Sequence, residues 1–333
     1  MVPSYGSTCS GFSSDGQAFT ATVVYIHPQR RFYTVEFDLP RGRKCRESYY
    51  FPDRAGDDTL PRKDRQPKKE IKQEVQKVKV ISIVNLKGGV GKTATAINMA
   101  SILATEHGKS VLLIDADPQA NATRFFGGDH APVTLYDVFT RPSSWDECCW
   151  MTQVDGVDII PASMDLLQLD VAAATADKSL VSGFGDFMAA EFAESDYDYV
   201  LIDCPPGFTA VSIAGISVSD DIIIPAKVDA FAISGIDELT AQIRAVQTVR
   251  SGIRIAGVLV TMWHNAPVVT QGEQYLRAMD VPVFETTIRR TDKMDEATFA
   301  RQPISTYSRW CAAARDYRDF VDEYLGKEAA DDE

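Results

Sequence analysis

The sequence predicts an α/β fold, in which helices cover both faces of a doubly wound, mostly parallel sheet, with a small β-rich domain in front of it. First, from Val80 onward, short β-branched runs alternate with stretches of helical pattern, as in parallel sheets with helical crossovers. Second, 333 residues accommodate one α/β domain of about 250 residues and a small additional one. Third, residues 1–60 contain strand-like runs without a helical period.

Residues 1–60 form the predicted N-terminal domain. Three segments rich in Thr, Val, Tyr and Phe, at 19–26, 31–37 and 47–51, are typical of short strands. Their lengths and short connections predict a small antiparallel barrel or meander, of SH3-like type. The residues before about Gly16 are rich in Ser and Gly, which predicts disorder at the start of the chain.

The function of this N-terminal domain stays open between three interpretations. Its aromatic residues are interleaved with six basic ones, a composition found in nucleic-acid-binding modules, in protein-docking modules and on ordinary solvated surfaces. The six are Arg30, Arg31, Arg41, Arg43, Lys44 and Arg46. Residues 61–77 follow as a basic linker whose second half has the composition of a short helix.

A glycine loop between a strand and a helix carries the strongest functional signal. Residues 80–84 are continuously apolar, as in a strand buried on both faces, and residues 94–104 have a helical pattern. Unpaired N–H groups and the helix dipole attract anions at a helix start, and glycine lets the backbone close around a phosphate. In such loops the second lysine, Lys92, binds the β- and γ-phosphates, and the Thr93 hydroxyl binds Mg²⁺. The predicted nucleotide-binding residues are Lys87, Gly88, Gly89, Val90, Gly91, Lys92, Thr93 and Ala94.

The form of this loop and three later segments are shared with one protein family. Residues 87–93 follow the pattern K-G-G-x-G-K-[ST], in which an additional lysine precedes clustered glycines. The segments V-L-L-I-D-A-D-P-Q-A-N-A-T at 111–123 and Y-V-L-I-D-C-P-P-G at 199–207 follow, and then the run at 281–303. On these motifs the sequence resembles the ParA/MinD superfamily of P-loop ATPases, and within it the ParA/Soj partition proteins.

The resemblance covers about residues 78–326 and implies residue roles through the matching motifs. Asp117 matches the aspartate that positions the attacking water, and Asp115 one that supports the Mg²⁺ shell and the neighbouring switch. Asp203 matches the aspartate that binds Mg²⁺ through water. Lys87 matches the lysine that reaches the nucleotide of a second subunit, which implies a homodimer formed with ATP. The implied catalytic residues are Lys87, Lys92 and Asp117, the implied metal-binding residues are Thr93, Asp115 and Asp203, and the implied cofactors are ATP and Mg²⁺.

The resemblance also implies partition of plasmid or chromosomal DNA. The ATP-bound dimer of such proteins binds duplex DNA without sequence preference, and a ParB-like centromere-binding protein stimulates hydrolysis. Arg289, Arg290 and Lys293 lie in the matching basic segment, although Arg289 stands where proline is usual. An arginine usual in the family is absent from residues 263–266. A solvated, salt-bridged surface is the competing interpretation of the three basic residues, and the linker at 61–77 is an alternative source of DNA contact.

A second functional interpretation is MinD-like positioning of a protein cargo without direct DNA binding. Membrane-bound members of that group end in a basic amphipathic helix, whereas residues 322–333 contain six acidic residues and one basic one, and 327–333 are predicted as an acidic tail. No apolar run approaches the roughly 20 residues of a membrane span, and the N-terminus has no charged-then-apolar signal pattern. We therefore expect no membrane association and a cytoplasmic, nucleoid-associated protein.

Charge is distributed unevenly and limits which partners fit. The chain has a formal net charge of −13. Residues 61–79 carry 8 basic and 3 acidic side chains, whereas residues 80–333 carry 19 and 37. Contact with DNA therefore requires a local basic patch, because attraction by the whole domain has the wrong sign. The six cysteines show no C-x-x-C spacing and the four histidines are scattered, so we predict reduced thiols and no zinc-type site.

Overall fold

The computed structural model describes residues 8–12, 18–26, 32–39, 43–50, 78–141, 143–174, 179–192, 195, 197–229 and 232–331. The chain divides into two compact units, Met1–Glu74 and Val75–Glu333, and each is described by itself. The predicted basic linker at 61–77 lies outside the described residues.

The first unit contains a four-stranded antiparallel sheet. Its strands are β1 (Thr8–Phe12), β2 (Ala18–Ile26), β3 (Phe32–Leu39) and β4 (Arg43–Tyr50). Each strand pairs with the next one along the chain, as in a meander, which is one of the two arrangements that the sequence predicts. The three predicted strands correspond to β2, β3 and β4.

Strand β1 corrects the prediction that the chain is disordered before about Gly16. Its backbone pairs with β2, from Thr8 opposite Thr22 to Phe12 opposite Ala18. This pairing orders the strand through a partner that the local Ser- and Gly-rich composition does not reveal. The remaining residues before Gly16 lie outside the described part of the chain.

The second unit is built around an eight-stranded, mostly parallel sheet. Its strands are β5 (Lys79–Ile83), β6 (Val111–Asp115), β7 (Trp150–Met151), β8 (Val157–Ile160), β9 (Tyr199–Asp203), β10 (Asp221–Lys227), β11 (Arg254–Trp263) and β12 (Val283–Arg289). Their order across the sheet is β12-β11-β10-β5-β9-β6-β8-β7. Neighbouring strands are parallel, except that β7 pairs antiparallel with β8 at one edge. The predicted fold class is therefore confirmed.

Helices cover both faces of this sheet. In the described residues they are α1 (Lys92–Thr105), α2 (Asn121–Phe125), α3 (Leu135–Thr140), α4 (Trp145–Cys148), α5 (Leu167–Ala174), α6 (Ser179–Phe192), α7 (Ala210–Val218), α8 (Ala232–Gln247), α9 (Pro267–Arg277), α10 (Lys293–Phe299), α11 (Ile304–Tyr307) and α12 (Ala312–Asp331). A short 3₁₀ helix, Met164–Leu166, precedes α5.

Alternate residues of each strand face opposite sides, so the sheet separates two apolar cores. In β9, Val200 and Ile202 belong to the core that α3, α6, α7 and α8 cover, whereas Tyr199 and Leu201 belong to the core that α1 and α12 cover. The parallel strands end at a common edge, where ligands bind in doubly wound sheets.

The α12 helix extends into the residues that the sequence predicts as an acidic tail, 327–333. The helix continues to Asp331, and its last turns contact the body of the unit. Lys327 pairs with Glu323 at 2.9 Å and its Nζ lies 4.4 Å from the ring centroid of Phe284. Glu328 accepts a 2.6 Å hydrogen bond from the Tyr199 hydroxyl. The i,i+4 spacing and these tertiary contacts extend the helix despite its acidic composition.

For the predictions on cysteines, metals and membranes, the structural observations extend only to the described residues. Cys148, Cys149, Cys204 and Cys311 are free thiols. Across the described ranges, His, Cys, Asp and Glu side chains do not gather in threes or more at a spot suited to a metal ion. Among the helices that the structure describes, none combines the length and apolar character that crossing a membrane requires.

Candidate active site

The glycine loop connects β5 to α1 at the carboxyl edge of the sheet. Gly89 and Gly91 adopt positive φ angles of 70° and 92°, a region that residues with a Cβ enter only with strain. Gly91 is also the residue that precedes α1. The loop conformation therefore depends on glycine and leads directly into the helix start, where N–H groups lack helical partners.

Two hydrogen bonds join this loop to the neighbouring strands, and a third lies within it. The Thr261 hydroxyl of β11 donates to the Val90 carbonyl at 2.7 Å. The Asn85 amide donates to the Pro225 carbonyl of β10 at 2.8 Å, and its oxygen accepts from the Lys87 backbone N–H at 2.9 Å. The loop is therefore held in shape by the sheet beneath it.

Lys92 lies buried at the beginning of α1. Its ammonium donates to the Lys87 carbonyl at 3.0 Å, a bond that crosses the base of the loop. Burial lowers the pKa of Lys92, and the nearby carboxylates of Asp203 and Asp117 counteract this shift. The structure thus brings together three of the residues that the sequence predicts for the site.

Asp115 and Asp203 end adjacent strands and occupy opposite positions in the β6–β9 register. Both are fully buried. Burial raises the pKa of Asp115 to about 6 and raises the pKa of Asp203 well above its ordinary value. For Asp203 the neighbouring Asp115 carboxylate adds to the rise, because two like charges this close disfavour ionisation.

The hydrogen bonding of these two aspartates differs. One oxygen of Asp115 accepts from the backbone N–H and the hydroxyl of Thr123 at 2.8 and 2.7 Å, and the other accepts from the Asp117 N–H at 3.1 Å. Neither oxygen of Asp203 accepts a hydrogen bond of normal geometry within the described part of the chain. Buried carboxylate oxygens without donors suit a cation, so Asp203 fits a metal site, whereas the contacts of Asp115 organise residues 115–123.

Asp117 follows β6 and is buried. One of its oxygens accepts a 2.8 Å hydrogen bond from the Gln119 backbone N–H. The next turn contains Ala120 at a φ of 53°, a conformation uncommon for a residue with a side chain. Such outliers concentrate at functional sites, and this one lies beside the aspartate that matches the water-positioning residue.

Lys87 forms an ion pair with Asp229, which follows β10. Sequence reasoning did not single out Asp229, although it occupies the same kind of strand-end position as Asp117. That position is the signal that would have found it. A small pocket lies between the loop, the end of β10 and the start of α8, and its lining includes Lys87 and Lys227.

The three residues predicted to contact DNA lie in different surroundings. The Arg289 guanidinium binds Asp316, which also accepts the Arg289 backbone N–H at 2.8 Å. Lys293 pairs with Glu296 at 2.7 Å. The salt-bridged interpretation therefore describes these two side chains. The Arg290 side chain is exposed and makes no ion pair or hydrogen bond within the described residues.

Comparisons with known proteins agree with this architecture. A family model described as an AAA domain matches residues 78–255. The chain is 34% identical over 257 residues to the sporulation initiation inhibitor protein Soj of Bacillus subtilis, covering 74% of this chain and 97% of Soj. It is 33% identical over 257 residues to the chromosome partitioning protein ParA of Caulobacter vibrioides, covering 75% of this chain and 95% of that protein.

A solved structure supports the same assignment at the level of the fold. Cobyrinic acid a,c-diamide synthase from Mycobacterium smegmatis, with bound ADP and magnesium, superposes with a TM-score of 0.64 at 26% identity, covering 74% of this chain and 94% of that one. Several protein families share this fold. The family match and the two relatives, almost the whole length of which this chain covers, show to which of these families the chain belongs. The chain belongs to the ParA/Soj group of partition ATPases in the ParA/MinD family.

Proposed function

We propose that this protein is an ATPase that partitions plasmid or chromosomal DNA. It dimerises with ATP, binds duplex DNA without sequence preference, and hydrolyses ATP when a ParB-like centromere-binding partner stimulates it. The observation that carries the proposal is the buried group of Lys92, Asp115, Asp117 and Asp203 behind a phosphate-type loop. It occurs in a chain whose relatives are named for chromosome partitioning and for sporulation control.

ATP and Mg²⁺ are the proposed cofactors. The Mycobacterium smegmatis protein was solved with ADP and magnesium. In this chain, Asp203 has two buried oxygens that accept no hydrogen bond of normal geometry from the described residues. The nearby Thr93 hydroxyl lowers the pKa of Asp203, against the larger rise that burial causes. Asp203 and Thr93 would hold Mg²⁺, with water and phosphate oxygens completing its shell, and the ion would neutralise charge on the phosphates.

The remaining residues have separate roles in ATP hydrolysis. Lys92, held beside the loop, binds the β- and γ-phosphates, and Asp117 orients the attacking water. The Asp115 carboxylate fixes the segment that carries Asp117 by accepting a hydrogen bond from the Asp117 backbone N–H. Lys87 reaches the nucleotide of the second copy, and a cation supplied to the transferring phosphate in this way is worth about 10³–10⁵ in rate. A single chain, whose Lys87 pairs with its own Asp229, therefore has weak intrinsic activity.

DNA binding must arise locally, because residues 80–333 are strongly acidic. Arg290 offers an exposed guanidinium without a carboxylate partner among the described residues, at the end of β12. Arg289 and Lys293 would need to exchange their present partners for phosphate. A cytoplasmic, nucleoid-associated location follows from this activity.

A gel shift with random-sequence duplex DNA tests the proposal. We expect retardation with ATP and Mg²⁺, little with ADP, and none for Lys92→Ala, which lacks the phosphate-binding cation. A chain that binds ATP and dimerises but leaves the duplex unshifted would contradict the partition function. That result would favour the alternative, MinD-like positioning of a protein cargo.

A further inference from the structure

We propose that Arg309, Trp310 and Arg315, termed the Trp310 patch, contact duplex DNA in the ATP-bound dimer. The proposal rests on the proposed function and identifies a surface for it that the family motifs do not include. The patch spans the turn between α11 and α12 and the first turn of α12.

Trp310 is an exposed aromatic residue whose ring contacts a neighbouring arginine. Its side chain is 76% exposed. The Arg309 guanidinium lies over the indole ring, 5.3 Å from the ring centroid, in a cation–π contact. This contact holds the two side chains together, so the patch offers an apolar ring and a fixed positive charge side by side.

The cations of the patch are available for an anionic partner. Neither the Arg309 nor the Arg315 side chain pairs with a carboxylate within the described residues. The segment at 297–315 contains no Asp or Glu. Arg318, by contrast, is bound to Glu106 at 2.7 Å and donates to the Arg309 carbonyl at 2.8 Å. The paired Arg318 thus fixes the turn, whereas the Arg309 and Arg315 guanidinium groups can bind an anionic ligand.

The patch is continuous with the basic segment at the end of β12. Asp316, the neighbour of Arg315, binds both the backbone and the guanidinium of Arg289. Tyr307, at the end of α11, donates a 2.9 Å hydrogen bond to Glu296 of α10, which also pairs with Lys293. The end of β12, the start of α10 and the Trp310 patch therefore form one surface.

Duplex DNA is the partner whose chemistry fits this surface. Arginines bind phosphate oxygens, and an aromatic ring packs against deoxyribose or enters the minor groove as an apolar wedge. Neither contact reads sequence strongly, as binding without sequence preference requires. An apolar protein partner would require a wider apolar area than one indole ring beside the Arg309 guanidinium.

Fluorescence anisotropy of the full-length chain on a labelled random 30-base-pair duplex, with a non-hydrolysable ATP analogue and Mg²⁺, tests the proposal. Trp310→Ala should weaken binding about tenfold with little change in salt dependence, whereas Trp310→Phe should retain most of the affinity. Arg309→Ala combined with Arg315→Ala should lower the salt slope by about two phosphate contacts. Arg244→Ala removes one exposed charge from α8 and serves as the control, with binding unchanged.

Indole emission provides a second readout. DNA should quench or shift the emission of the wild type, and this change should be absent in Trp310→Phe. If the wild type binds DNA but Trp310→Ala and the double arginine variant bind equally well, the patch proposal is wrong and the proposed function stands. Equal weakening by Arg244→Ala would also overturn it, because overall charge would explain the effect. A wild type that binds no duplex overturns both proposals.

Discussion

The ion pair between Lys87 and Asp229 competes with the role proposed for Lys87 in the dimer. The ammonium cannot bind Asp229 of its own chain and also reach the nucleotide of a second chain. Asp229→Asn removes the competing charge and keeps the shape of the side chain. We therefore expect this variant to dimerise more readily with ATP.

The exposure of the pair sets the size of the effect. The Lys87 and Asp229 side chains are 43% and 32% exposed. Ion pairs in such solvated positions contribute about 0.2–1 kcal/mol. A dimer releases two of them, so the dissociation constant of the dimer should fall about two- to thirtyfold in Asp229→Asn.

Sedimentation velocity with a non-hydrolysable ATP analogue and Mg²⁺ measures this constant. Asp280→Asn is the matched control, because it removes a carboxylate from another exposed ion pair, with Arg244. Weaker dimerisation of Asp229→Asn would refute the reasoning and assign Asp229 a favourable contact in the dimer. An equal gain in the control would instead attribute the effect to net charge.

The other predictions concern the buried cluster. Lys92→Ala should abolish ATP binding in calorimetry, whereas Asp117→Ala should bind ATP and dimerise but hydrolyse it at least about a hundredfold more slowly; normal hydrolysis would refute the assignment of Asp117. Asp203→Asn should raise the free energy of unfolding of the nucleotide-free chain by about 1–2 kcal/mol in urea and reduce the stabilisation by ATP with Mg²⁺, because a buried carboxylate without donors is removed; lower stability would contradict this. Burial raises the pKa of Asp115 to about 6, so this group stabilises the fold at low pH and its contribution is lost as pH rises from about 4 to 6. The free energy of unfolding of the wild type, relative to that of Asp115→Asn, should therefore fall as pH rises from about 4 to 6. A relative stability that grows over this range would contradict the assignment.

Local chemistry explains why part of the site was predictable. The strand at 80–84, the glycine loop and the following helix each have a signature within a few residues, and the structure has them in that order. The positions of Asp115 and Asp203 followed from the apolar runs in front of them, since parallel strands end at one edge. Their alignment in register makes the two carboxylates neighbours.

Tertiary pairing explains what the sequence did not disclose. Arg289 was predicted to face DNA, but the fold supplies Asp316 as its partner, 27 positions later. The partner of Lys87 is 142 positions away. The end of α12 likewise depends on a distant contact, between Glu328 and Tyr199, whereas β1 is ordered by pairing with β2, the next strand along the chain.

The hydrogen bonds around Asp115 connect the cluster to the rest of the sheet edge. The Thr123 hydroxyl donates to Asp115 and accepts from the Ala162 N–H at 2.9 Å, which joins the segment after β6 to the end of β8. Further along, Asp170 of α5 accepts from the Ala210 N–H at 2.7 Å, at the start of the helix that follows β9. The segments after β6 and β9 are thus both tied to the stretch between β8 and α5. A change of charge at Asp115 therefore acts on the Thr123 hydroxyl and, through it, on the backbone N–H of Ala162 just beyond β8.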